Sequence, residues 1–237
     1  MSDAAPLLEV RGLVKRFGGV TAVDGASLAL AAGRIYGLIG PNGSGKTTLF
    51  NCITGIERRD AGEVRLAGRR IDGLAAHRIA RLGVGRTFQV IRVFPDLTAT
   101  ENLLAVSWGD EASARRRGRE LLGLVGLGRL ADEPAGSLSY GQQKLLELAR
   151  VLMMEPRLIL LDEPAAGVNR TLLNDLLDAV RGLRAAGRTV LLVEHDMKVV
   201  MAVCEHVFVL DHGETIAEGP PAAIQRNERV IEAYFGR

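Results

Sequence analysis

The stretch Gly40-Pro41-Asn42-Gly43-Ser44-Gly45-Lys46-Thr47-Thr48 constrains this chain more than any other. It fits the pattern G-x-x-x-x-G-K-[ST] at every required position. Before it, Ile35 to Ile39 reads as a short buried strand; after it, Thr47 to Ile53 carries no breaker and reads as the start of a helix. Strand, glycine-rich turn, helix is the context in which this pattern makes a phosphate site. Glycines let successive backbone N–H groups turn inward around an anion, where a Cβ would block the turn or the ligand. Lys46 adds a mobile positive charge for β- and γ-phosphates, and the Thr47 hydroxyl can take one position on Mg²⁺. The implied ligand is a nucleoside triphosphate.

Upstream, Leu7 to Leu13 and Ala26 to Leu30 read as strands separated by turn residues. Between them Phe17 stands beside Gly18 and Gly19, outside any apolar run. An aromatic there can stack on a purine base or pack into a core, and position alone leaves both open. Gly62 to Gly68 alternates and closes a small antiparallel sheet. His77 to Leu82 reads as a short helix, and Val84 to Gln89 as a short strand ending on a polar residue. The Gln89 amide can orient water or offer its oxygen to Mg²⁺; an isolated Gln is equally an ordinary surface residue.

From Thr98 to Val125 the apolar spacing predicts one helix, with Thr98 or Thr100 as its cap. A polar loop, Asp132 to Ser137, follows. Leu138-Ser139-Tyr140-Gly141-Gln142-Gln143 then leads into a helix through Met154. Ser139 is a good N-cap, and the free N–H groups there form either a second anion site or an ordinary capped terminus. Leu158 to Leu161 is an apolar run ending on Asp162 and Glu163. Ligands gather at the carboxyl ends of parallel strands, and two carboxylates there suit a Mg²⁺ ligand and a water-activating base. Thr189 to Val193 repeats the design and ends on Glu194-His195-Asp196, placing His195 at the same edge within reach of a γ-phosphate. Val207 to Leu210 and Glu214 to Ile216 read as a last hairpin, and a C-terminal helix begins at about Glu228.

A chain of 237 residues with 47% hydrophobic and 24% charged residues has ample material for one large globular domain or two closely packed subdomains. The net charge of +2 gives no case for a nucleic-acid partner. Arg115, Arg116, Arg117 and Arg119 form the one dense basic cluster, read as a solvated helix face in preference to a lipid or nucleic-acid contact. Cys52 and Cys204 lack metal-ligand spacing and read as core residues in a reducing compartment. Met1 to Val10 lacks the marks of an export signal, and no stretch approaches the ~20 apolar residues of a membrane span. A cytoplasmic location is therefore expected, with any membrane role exerted through a partner.

With these residues in view, the chain resembles the ATP-binding subunit of an ABC transporter over nearly its whole length. Gly40 to Thr48 matches the P-loop, Gln89 the Q-loop, Leu138 to Gln142 the signature motif, Leu158 to Asp162 with Glu163 the second acidic motif, and His195 the switch histidine. The resemblance implies a RecA-like P-loop NTPase core (residues 1–89 and 157–237) with an antiparallel β subdomain. It also implies an inserted α-helical subdomain, residues 90–156, carrying the signature motif. Phe17 would stack on adenine; Gly40 to Thr48 would hold ATP, with Ser139, Gly141 and Gln142 serving the nucleotide of a second copy. Thr47, Gln89 and Asp162 would hold Mg²⁺, and Glu163, Gln89 and His195 would carry hydrolysis. Two ATP-binding subunits, identical or different, would pair head to tail on membrane permease subunits at the cytoplasmic face of the inner membrane.

A finer resemblance is to the ATP-binding subunits of branched-chain amino acid importers. It is carried by Gly85 to Gln89, Asp162-Glu163-Pro164-Ala165-Ala166-Gly167, Glu194-His195-Asp196-Met197, and the tail Val230 to Gly236. Tyr140 replaces a common Gly, Val168-Asn169-Arg170 departs from the usual D-loop, and Ser107 to Arg119 is short for the family. The implied function is ATP hydrolysis driving import of branched-chain or related amino acids. An extracytoplasmic binding protein and the permease would choose the substrate. The alternatives are an export or lipopolysaccharide-extraction ATPase, and a soluble ABC ATPase acting on DNA or ribosomes. The last usually needs tandem domains or a long coiled-coil insert, neither of which is visible here.

Overall fold

Three five-residue runs, Ile35–Ile39, Leu158–Asp162 and Thr189–Val193, are buried at every position. Apolar on both faces, they form the centre of a parallel sheet covered on each side. The computed structural model of the chain describes residues 5–107 and 110–235. The first four residues of Met1 to Val10, Trp108 and Gly109 within the expected Thr98 to Val125 helix, and Gly236 of the tail lie outside the described residues.

In chain order, β1 (Leu8–Phe17) and β2 (Val20–Leu30) form a hairpin, followed by β3 (Ile35–Ile39) and α1 (Lys46–Ile53). Next come β4 (Ala61–Leu66), β5 (Arg69–Arg70), α2 (Ala76–Arg81) and β6 (Val84–Arg86). The helices α3 (Ala99–Leu104), α4 (Glu111–Leu124) and α5 (Tyr140–Met153) lead to β7 (Leu158–Asp162), α6 (Arg170–Ala185), β8 (Thr189–Val193) and α7 (Met197–Val203). β9 (His206–Asp211), β10 (Glu214–Gly219), α8 (Pro221–Ile224) and α9 (Glu228–Phe235) complete the described chain.

The strands make two sheets. One is antiparallel, in the order β2-β1-β4-β5; the other runs β10-β9-β3-β8-β7-β6 and is parallel except for the β9–β10 hairpin. Side chains alternate across a strand, and here the alternation sorts residues into two cores. Ile35, Ile39, Ile159, Leu161, Val190, Leu192 and Val207 face a layer that includes α3 to α7. Tyr36, Leu38, Leu158, Leu160, Leu191, Val193 and Phe208 face α1 and the antiparallel sheet. The register sets Leu38 beside Val193 and Val193 beside Asp162, so β3, β8 and β7 end level with one another.

Most expected elements are present, with three corrections. The first strand runs on to Phe17 and its partner starts at Val20, making a longer hairpin than the apolar runs indicate. β6 stops at Arg86, before Gln89. The expected helix from Thr98 to Val125 is two helices, α3 and α4. Thr98 caps α3 in a reciprocal box with Glu101, whereas the Thr100 hydroxyl donates to the Ala131 carbonyl 2.9 Å away. The break falls at polar residues that satisfy helix ends: the Ser107 hydroxyl donates to the Leu104 carbonyl at 2.8 Å, and Asp110 caps α4 through the Ser113 amide.

Candidate functional site

The turn between β3 and α1 is shaped by two glycines. A Cβ on Gly40 (φ 154°) would lie 2.0 Å from the Leu210 carbonyl oxygen and 2.7 Å from Ser44 Oγ. One on Gly45 (φ 99°) would lie 2.2 Å from the Ala22 carbonyl oxygen. The loop is thus wedged between β2 and β9 with room for backbone only. Gly45 caps α1 without a side chain, so the first-turn N–H groups keep their donors for an anion. The Lys46 ammonium donates to the carbonyls of Gly40 and Pro41, both at 2.8 Å, and to Ser44 Oγ at 3.2 Å. Burial pulls its pKa down, and the charges of Glu163 and Asp162 oppose that. Both carboxylates therefore act on Lys46.

Asp162 ends β7 and is almost fully buried. Its Oδ2 accepts from Arg86 Nη2 at 3.0 Å, in an ion pair with both side chains at most 5% exposed. Arg86 also donates to Asn51 Oδ1 and Thr54 Oγ1 of the α1 region, which joins β6, β7 and α1 at the core side of the site. Burial lowers the arginine pKa and Asp162 restores part of it. One residue on, Glu163 has φ 47°, a left-handed backbone that turns the chain sharply off the strand. Its Oε2 accepts from Gln89 Nε2 at 3.2 Å, leaving the amide oxygen of Gln89 for another partner. His195 follows β8; its ring is exposed, and its amide donates to Glu194 Oε2 at 3.3 Å. The Glu163 amide donates to the Val193 carbonyl at 3.0 Å, which sets the two strand ends side by side.

Phe17 lies at the hairpin tip and is 46% exposed, so the core-packing reading is overturned. The same hairpin reaches the loop through Ala22. Ser139 caps α5 in a reciprocal box with Gln142, and Gly141 packs against Leu172 at the start of α6. Among the described residues these three share no hydrogen bond with the phosphate loop of their own chain. Arg117 reaches the Leu152 carbonyl and Glu155, so it is a packing residue rather than part of a free basic face.

The oxygen donors in view (Thr47 hydroxyl, Gln89 amide, Asp162 carboxylate) suit a hard divalent cation. No group of three or more His, Cys, Asp or Glu among the described residues forms a metal site. A Mg²⁺ here would take most of its shell from triphosphate and water. A cavity of about 390 Å³ flanks the loop, lined in part by Pro41, Asn42, Ser44, His212, Arg229 and Glu232. It lies on the β9–β10 side and is not lined by Lys46, Thr47 or Glu163. Beside it, the Tyr234 hydroxyl of α9 is buried near the Gly40 backbone amide, without the geometry of a full hydrogen bond.

The sequence profile of the ABC transporter family matches residues 23–166, from β2 through the phosphate loop, Gln89, Ser139 and Glu163. The chain belongs to the ABC transporter family. A second profile, the branched-chain amino acid ATP-binding cassette transporter, matches residues 214–237. The chain is 44% identical to the high-affinity branched-chain amino acid transport ATP-binding protein BraF of Pseudomonas aeruginosa, over 98% of each sequence. Its fold is similar to a crystal structure of a nucleotide-free ATP-binding cassette, with a TM-score of 0.90 and 33% identity over 98% of this chain and all of that one. A dimeric cassette bound to ADP and phosphate superposes with a TM-score of 0.81 and 27% identity, over 90% of this chain and 98% of that one.

This ABC ATPase also has site-bearing residues that its motifs do not announce. Arg86 belongs to the Asp162 ion pair. Glu194, 0% exposed, accepts from the Ala165 amide at 2.8 Å. Lys144 and Glu147 are buried on α5. One signal does exist for Lys144: it is one of four lysines in a chain that otherwise uses arginine for its basic residues.

Proposed function

We propose that this chain is the ATP-hydrolysing subunit of a membrane importer for branched-chain or related amino acids. The observation that carries the hydrolytic role is the Glu163–Gln89 pair, 3.2 Å apart beside the phosphate loop. The substrate class is supported by the likeness to BraF and by the tail profile over residues 214–237. In this reading Gly40 to Thr48 hold the triphosphate, and the Phe17 ring stacks on the adenine. Thr47, Gln89 and Asp162 serve Mg²⁺, with Asp162 acting through the ion's water shell. Glu163 polarises the attacking water and His195 bonds the γ-phosphate. Mg²⁺ supplies charge neutralisation across the β- and γ-phosphates.

Residues 1–89 and 157–237 form the nucleotide-binding core in this proposal, and 90–156 the helical subdomain. Two copies, or this chain and a similar one, close head to tail, with Ser139, Gly141 and Gln142 of one capping the nucleotide on Lys46 of the other. The dimeric relative bound to ADP and phosphate supports pairing of two such chains. No helix among the described residues is long and apolar enough to cross a membrane, which agrees with attachment through permease subunits at the cytoplasmic face. An extracytoplasmic binding protein would deliver the substrate.

The test joins chemistry to transport. Glu163→Gln keeps a hydrogen-bonding oxygen and loses the base, which is expected to slow phosphate release by ~10²–10⁴, or about 3–5 kcal/mol of barrier. ATP binding should be at least as tight as in wild type, because a negative charge near the triphosphate is gone. Cells lacking this chain should lose uptake of labelled leucine, isoleucine or valine; wild type should restore it and Glu163→Gln should not. Near-normal hydrolysis by Glu163→Gln sinks the base assignment, and undiminished uptake in the deleted strain sinks the importer reading.

A further inference from the structure

The turn that presents Glu163 is held by two groups outside the motifs. The Lys144 ammonium donates to the Glu163 carbonyl at 2.8 Å and the Ala166 carbonyl at 2.7 Å, with the Pro164 carbonyl at 3.5 Å. Glu194 also accepts from the Ala165 amide at 2.8 Å. The turn needs such support, since Glu163 is a non-glycine residue at φ 47°. Lys144 is 7% exposed; burial pulls its pKa down, and the charges of Glu194, Glu147, Glu163 and Asp162 oppose that. A single compact ammonium thus ties the turn after β7 to α5. Lys144 lies five residues after Ser139 on that helix, so the turn bearing Glu163 is anchored to the helix that begins with the signature motif.

We propose that Lys144 is a positioning residue for hydrolysis: it sets the Glu163 carboxylate against the attacking water and ties that setting to the position of the signature helix. The proposal rests on the reading of Glu163 as the general base.

The experiment uses the full chain, with kcat from phosphate release and ATP affinity from equilibrium binding. Lys144→Met removes the charge at similar length. It is expected to lower kcat about 10- to 100-fold, the scale of a misplaced reacting group, with ATP affinity held within about 2-fold. Added to Glu163→Gln, it should lower the residual rate by less than about 2-fold, because it acts through the group already removed. Affinity falling in step with kcat, an unchanged kcat, or the full loss repeated on the Glu163→Gln background would each overturn the proposal. If Lys144→Met does not fold, Lys144→Gln is carried through the same cycle. Glu163→Gln alone turning over at wild-type rate would be failure of the base reading instead, a separate result from additive loss.

Discussion

Glu147 is a carboxylic acid that burial pushes up to about 7, with the Arg92 and Phe88 amides, Arg150 and Lys144 pulling the other way. Its ordinary value is 4.5, so the unfolded chain ionises first as pH rises. Folding stability then carries no cost from this group well below pH 4.5; the cost grows through the interval and is complete above about pH 7. That interval corresponds to roughly 3 kcal/mol. Glu147→Gln should be more stable than wild type by roughly 1–3 kcal/mol at pH 8 and by under about 1 kcal/mol at pH 5, read from urea unfolding. A difference that does not change with pH would show that Glu147 ionises as freely in the fold as outside it. At this scale the motif residues were legible because their chemistry is local: nine consecutive residues make the phosphate loop. Arg86 and Lys144 were not, because Arg86 bonds Asn51, Thr54 and Asp162 at separations of 35, 32 and 76 positions, Lys144 bonds residues 19 or more positions away, and only the fold brings these partners in.

The elements divide in the same way. Strands buried on both faces announce themselves as apolar runs, and β3, β7 and β8 fall where the sequence puts them. The interruption between α3 and α4 does not, since apolar spacing continues across it while Ser107 and Asp110 satisfy the two helix ends. Helix α6 has no counterpart in the sequence reading, although Asn169 caps it through the Leu172 amide at 3.0 Å. Asn102 shows what spacing misses. At 0% exposure it accepts from the Phe94 amide at 2.8 Å and donates to the carbonyls of Phe94, Leu97 and Thr98, fixing the segment ahead of α3. Asn102→Ala leaves those groups without their partner and should cost roughly 2–4 kcal/mol in urea unfolding. A loss below about 1 kcal/mol would mean that water replaces the amide there.

For the whole molecule, the test of the proposed pairing is complementation between two inactive variants. Lys46→Ala should lose ATP binding, and Ser139→Arg should bind ATP in its own loop yet neither dimerise with it nor turn it over. In a mixed dimer one composite site carries both changes and the other carries neither. Half the dimers in an equal mixture are mixed, so phosphate release should recover to at most about a quarter of wild type. No recovery, with mixed dimers shown to form, would count against a site shared between chains.

The loop itself has a partner far along its own chain. Gly40 rests on the Leu210 carbonyl, and the Gly213 amide donates to the Ser44 carbonyl at 3.1 Å. On the ribosome, every motif residue from Gly40 to His195 emerges before this brace exists. The loop is therefore expected to gain its full shape, and with it a lasting hold on nucleotide, only once residues 206–213 have docked beside β3. A chain halted before Leu210 should accordingly be synthesised with a complete set of motifs and remain unable to retain ATP.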